Sequence, residues 1–194
     1  MKANHRPGGI DRPLPVFRKG VIQMNEVMQA ILSRRSVRKF TDQAVPREIL
    51  EDLAQAALHA PSGMGKKTWK FTVISNPEKV RKLACVMAGS LGREGYDMYA
   101  PTALIIPSNL RDSAFGMEDN ACALENIFLA AYSYGVGSVW INQMRGICDE
   151  PAVRAALTEL GIPEDHVVYG MAALGYPAAE AGAYREGGEV AFVD

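Results

Sequence analysis

Apolar and polar residues alternate along Trp69-Lys70-Phe71-Thr72-Val73-Ile74-Ser75. That period of two marks a strand with two unlike faces. Thr102 to Pro107 and Val167 to Leu174 are short apolar runs, which suit strands buried on both faces. Gly135 to Gly137 form a glycine stop ahead of a further strand that ends at Ile141. Helical periodicity covers residues 25–34, with Asn25 placed to cap and Val27, Ile31 and Leu32 on one face. It returns over 46–59, with Pro46 suited to a first turn. Asn76-Pro77 opens a third helix that runs to about Gly89, and a shorter one covers 150–160, ending at Gly161. Residues 60–65, 90–100 and 108–116 read as loops.

Glu118 to Tyr134 is the longest predicted helix, and it lacks a clear polar face. Cys122, Leu124, Ile127, Phe128, Leu129, Ala130 and Ala131 lie almost all round it. Such a helix must be covered on most sides. In a chain this small, part of that cover is expected from a second subunit. Four strands interleaved with four or five helices predict one α/β or α+β domain.

The chain has 194 residues with a formal net charge of -1. No global positive field exists to hold nucleic acid or an anionic membrane, so neither is an expected partner. No apolar run has membrane-spanning length. Cys85, Cys122 and Cys148 are widely spaced and odd in number, which predicts free buried thiols in a reducing cytoplasm and no metal site. Residues 1–23, rich in proline and glycine, are expected to form an irregular arm ahead of a domain over 24–194.

Chemistry concentrates first in Arg34-Arg35-Ser36-Val37-Arg38-Lys39-Phe40. On extended backbone Arg34, Ser36 and Arg38 leave the same side. Two guanidinium forks and a hydroxyl suit a phosphate group. The plain alternative is a solvated basic surface or a nucleic-acid patch. Pro61-Ser62-Gly63-Met64-Gly65-Lys66-Lys67 is a small-residue loop that a ligand can approach closely. Trp140, Ile141 and Asn142 stand at a strand end, a common place for ligands in open sheets; the plain alternative is that Trp140 and Ile141 are core, which is the expectation for the side chains of Val139 and Ile141. Arg185 is a lone cation in the tail.

The order RRSVRKF, APSGMGKKTWKFTVI, ALENIFLAAYSYGVGSVWI and a late GYP followed by Arg resembles the nitroreductase family of FMN-dependent oxidoreductases, over roughly residues 24–190. The resemblance implies an α+β fold of three-layer α/β type, a mixed sheet flanked by helices. It also implies an intertwined homodimer with FMN at the interface. By the same resemblance Arg34, Arg35, Ser36 and Arg38 would hold the phosphate, the ribityl chain or the pyrimidine edge. Arg185 would reach the phosphate from the tail. Pro61, Ser62 and Gly63 would approach the isoalloxazine from the other subunit, and Trp140, Ile141 and Asn142 would line its back. The pattern departs at Gly65, Lys67 and Thr68, where relatives commonly carry an Asn-x-Gln-Pro ahead of Trp69. Lys67 would put a positive charge beside the flavin. The tail also shows Ala183 and Tyr184 where relatives often carry a Lys.

The implied function is transfer of a hydride or electron pair from NADH or NADPH to a small-molecule acceptor such as a nitroaromatic or quinone, in ping-pong order. No catalytic side chain is expected, because the flavin carries the chemistry. Tyr96, Tyr99 and Phe115 are expected in loops, either covering the open flavin face or standing as ordinary surface aromatics. The competing reading is a flavin-binding or storage protein of the same fold without turnover.

Overall fold

The computed structural model describes residues 25–184 and 187–194. Its centre is a sheet of β1 (Trp69–Ile74), β2 (Ala103–Leu110), β3 (Gly137–Ile141), β4 (His166–Val167) and β5 (Met171–Gly175). The strands run in the order β1-β2-β5-β3, with β4 on β2, and every ladder is antiparallel. A parallel bridge joins Ser36 to Ser138, where the Val37 N–H donates to the Ser138 carbonyl at 3.0 Å. The basic segment thus runs alongside β3, but the sheet proper is antiparallel and not mixed as expected, because its only parallel contact among the described residues is that single bridge.

Side-chain alternation divides the core into two. Leu104, Ile106, Val139, Ile141 and Ala173 face one cluster. It is completed by α3 (Pro77–Leu91), α5 (Met144–Ile147) and α6 (Pro151–Glu159), which bury Leu83, Met87, Met144 and Leu157. Ala103, Ile105, Ala172 and Leu174 face the other, beneath α2 (Arg47–Leu58) and α4 (Gly116–Ser133), which contribute Leu53, Leu124 and Ile127. Each of the larger of these side chains, Leu, Ile, Val and Met, stabilises the fold by roughly 1.5–3 kcal/mol relative to exposure. The result is three layers, helices on both faces of one sheet.

Helix starts follow their caps. Asn25 Oδ1 accepts the Met28 N–H at 2.9 Å ahead of α1 (Glu26–Ser33). Asn76 Oδ1 accepts from Glu78 and Lys79 at the head of α3, with Pro77 in its first turn.

Several boundaries differ from expectation. The loop expected from residue 108 begins later, because β2 continues through Asn109 and Leu110 and pairs there with both β1 and β4. The run 167–174 is not one strand but two, β4 and β5, which pair with opposite ends of β2. Gly170 lies in the break, with Trp140 packed where its side chain would be. The short helix α5 and a 3-10 turn at Gly63–Gly65 have too few residues to show periodicity. Cys148 is buried, but Cys85 is exposed on α3, contrary to the expected burial of all three thiols.

One chain alone covers much of α4, including Ala123, Leu124, Ile127, Phe128 and Ala131. By contrast α1 buries no residue, and Val27, Ile31 and Leu32 are 64%, 46% and 52% exposed.

Candidate functional site

The basic segment lies between β3 and the tail. Ala178 N–H donates to the Lys39 carbonyl at 2.9 Å, and Thr41 N–H to the Tyr176 carbonyl at 2.8 Å. Phe40 and Pro177 form an antiparallel bridge. The segment is therefore extended and held from both sides, as the alternation of its side chains requires. Val37 is buried over Gly137, where a Cβ would lie 2.9 Å from the valine side chain. Glycine is needed there for close approach.

Two depressions flank the segment. One, of about 290 Å³, is lined by Arg34, Arg35, Tyr132, Gly135 and Ser138. The other, of about 230 Å³, is lined by Ser36, Arg38 and Lys39. Val37 and the tail residues Ala179, Glu180 and Ala181 border both. Arg34 and Ser36–Arg38 thus stand on adjoining depressions along one ridge. The tail backbone at 177–181 was missed by sequence reasoning, which looked there only for charge; the Gly-Tyr-Pro strand end was its signal.

Each arginine of the segment has a defined neighbour. Arg34 Nε lies 3.9 Å from the Glu125 carboxylate on α4. Arg35 donates to the carbonyls of Leu32 and Arg34, at 2.8 and 2.7 Å, and its guanidinium lies 5.0 Å from the Tyr184 ring centroid. Arg38 is exposed, 5.9 Å from the centroid of Tyr99. Such stacking orients a guanidinium while its edge stays free to donate. Arg185 lies outside the described residues.

Trp140 is 38% exposed, with its edge against Gly170 and its ring tilted against Phe128 at 6.2 Å. It stands two residues beyond Ser138 on the same face of β3, so it shares the face whose start borders the first depression. Ile141 is fully buried in the opposite cluster, and the exposed Asn142 follows the strand.

Pro61, Ser62, Gly63 and Lys67 line neither depression. They stand at the other end of α4. Ser62 Oγ donates to Asp119 Oδ2 at 3.2 Å, and Gly63 N–H donates to Asp119 Oδ1 at 2.7 Å. Lys67 N–H donates to Ser62 Oγ at 2.9 Å. Lys67 itself is exposed. Met64 and Lys67 have φ of 55° and 49°, a left-handed conformation unusual for side-chain-bearing residues. Sequence reasoning passed over Asp119, because it stands between Glu118 and Asn120 in a polar first turn, where an acid is ordinary.

Of the aromatics expected over the site, Tyr99 stands beside Arg38 and Phe115 against Gly63. Tyr96 instead packs on the core, where burial pushes its hydroxyl up to about 12. It borders a larger cavity of about 710 Å³ between α3 and the 95–102 loop, which holds none of the residues singled out from sequence as flavin contacts. Size alone favours that cavity; the row of cations along two adjoining depressions favours the β3 edge.

A family model described as the nitroreductase family matches residues 31–176, which takes in the basic segment, the 61–67 loop, α4 and β3. The chain belongs to the nitroreductase family. It is 33% identical over 168 residues to a provisionally named NADH dehydrogenase/NAD(P)H nitroreductase of Methanothermobacter thermautotrophicus, covering 84% of this chain and 83% of that one. It is 29% identical to an FMN reductase (NADPH) of Bacillus subtilis, covering 80% and 67%. A crystal structure of a nitroreductase with bound FMN from Bacteroides fragilis superposes with a TM-score of 0.81 and 37% identity, covering 88% of this chain and all of that one. Membership in the nitroreductase family accounts for the three-layer fold.

Proposed function

We propose that this chain is an FMN-dependent NAD(P)H oxidoreductase that reduces a small oxidised acceptor, such as a nitroaromatic or quinone, in ping-pong order. The observation that carries this reading is the ridge of Arg34, Ser36 and Arg38, held extended between β3 and the tail and bordered by two depressions. Its donor set fits a phosphomonoester with a polar chain. Guanidinium forks bind phosphate oxygens in pairs, and a hydroxyl both donates and accepts. Glu125 and the Tyr184 ring keep Arg34 and Arg35 oriented when no anion is present.

Bound FMN would supply a two-electron carrier that accepts hydride from a nicotinamide and passes it on. This chain's residues do the rest. Arg34, Ser36 and Arg38, with Arg35 beside them, hold the phosphorylated end. Trp140, Ile141 and Asn142 present the end of β3 to the ring, and Arg185 adds a cation from the tail. Pro61, Ser62 and Gly63 lie away from their own chain's ridge, so they serve the site of a second subunit. The exposed apolar face of α1 supports that homodimer. With one face of the ring covered, nicotinamide and acceptor use the other in turn. No side chain is assigned a proton-transfer role. The odd number and wide spacing of the cysteines suit a reducing, cytoplasmic setting.

The test is anaerobic addition of NADH or NADPH to the FMN-loaded protein. Rapid bleaching of the yellow absorbance, restored by a quinone or nitroaromatic, is the expected result. Colour that persists with both nicotinamides contradicts the proposal.

A further inference from the structure

We infer that Asp119 is a positioning residue for the flavin site, setting the shape of the 61–67 loop through the first turn of α4; this rests on the FMN reading above. Its side chain is almost wholly buried, at 3% residue exposure. Among the described residues it has no salt-bridge partner. A buried carboxylate is costly unless hydrogen bonds satisfy it. Here one oxygen takes the Gly63 N–H and the other the Ser62 hydroxyl. Because Asp119 accepts the Ser62 proton, the hydroxyl oxygen is left to accept the Lys67 N–H. A single carboxylate thereby organises three points of the loop. The partial positive charge at the start of α4 offsets its own.

The loop needs such a template. Met64 and Lys67 both hold left-handed backbone, which persists only where the surroundings over-determine it. Phe115, one residue before α4, fills the space beside Gly63 that a Cβ would need. The helix start therefore dictates both which residue stands at 63 and where its amide points. The same helix carries Glu125 against Arg34, about 9 Å further along at the usual rise per residue. In the proposed dimer α4 thus fixes the arginine of its own site and the loop that reaches the neighbouring one.

The test compares wild type, Asp119→Asn and Ser62→Ala in two measurements. Hydrogen exchange in the flavin-free protein reads the Gly63 and Lys67 amides, and fluorescence titration reads FMN affinity together with the visible circular dichroism of bound flavin. Asp119→Asn keeps the side chain's shape but turns a donor toward the Ser62 hydroxyl. It is expected to speed exchange at both amides at least tenfold. It is also expected to weaken FMN about tenfold, equivalent to roughly 1.4 kcal/mol, with altered dichroism. Ser62→Ala is expected to speed exchange at Lys67 alone, and it carries the test if Asp119→Asn fails to fold. Unchanged FMN affinity and dichroism in the substituted proteins, with wild type binding flavin, overturn the positioning role. A wild type that binds no FMN overturns the flavin reading instead, and the exchange result still decides whether Asp119 shapes the loop.

Discussion

Single residues carry the sharpest chemistry here, and each departs from its surroundings in a way that can be tested. Lys67 stands where relatives commonly carry an amide, and its exposed ammonium tops the loop that we place beside a flavin. A positive charge there favours the more electron-rich reduced form. Lys67→Gln should therefore lower the flavin midpoint potential, measured by dye-coupled reduction; equal potentials would remove the role. Gly137 has no room for a methyl group, because a Cβ at that position would lie only 2.9 Å from the Val37 side chain. Gly137→Ala should lower stability by about 1–3 kcal/mol, the usual range for overpacking, read from urea unfolding, and should weaken FMN because the basic ridge is displaced. Asp149 bridges Arg111 and Arg154, and the bonded Arg111 guanidinium draws its carboxyl down to about 2 from an ordinary 3.8. A lowered value means that the ion pair contributes above about pH 4 and is lost as the pH falls through 2. The group is largely exposed, so Asp149→Asn should cost no more than about 1 kcal/mol at pH 6, and its difference from wild type should close as urea melts are repeated down to pH 2.

At the scale of elements, the sequence was read well wherever a period ran long enough. The alternation from Trp69 to Ile74 and the apolar spacing in α2, α3 and α4 are direct imprints of what each segment packs against. Boundaries set by strand pairing leave no such imprint in the sequence. Asn109 and Leu110 look like loop residues but are held in β2 by neighbours on both sides. Val168 to Gly170 look like strand but interrupt it, because β4 and β5 are drawn to different ends of β2. The site divides in the same manner. Arg34, Ser36 and Arg38 stand out in the sequence as candidates because charge contrasts with apolar flanks, whereas Asp119 and the backbone of 177–181 become candidates only through contacts that the fold creates. The apolar face of α1 belongs to this scale too. Val27, Ile31 and Leu32 lie exposed in one chain, a pattern that asks for a partner surface. Ile31→Glu should shift sedimentation from dimer toward monomer and reduce FMN affinity with it; a dimer of unchanged stability would show that α1 lies outside the interface.

The molecule as a whole is a three-layer scaffold that leaves one sheet edge for a ridge of cations and sends a loop from the far end of α4 away from that ridge. Nitroreductase family membership fits this arrangement, and the proposal of two sites shared between two chains follows from it. The protein should sediment at about twice the 21.1 kDa of one chain. The central claim is that the ridge grips the phosphate of FMN. Its most direct test is parallel fluorescence titration with FMN and with riboflavin, which differ only by that phosphate. The account predicts that FMN binds at least a hundredfold more tightly, equivalent to roughly 2.7 kcal/mol, and that Arg34→Ala removes most of the preference. Equal affinity for the two flavins, or no uptake of either, would contradict it.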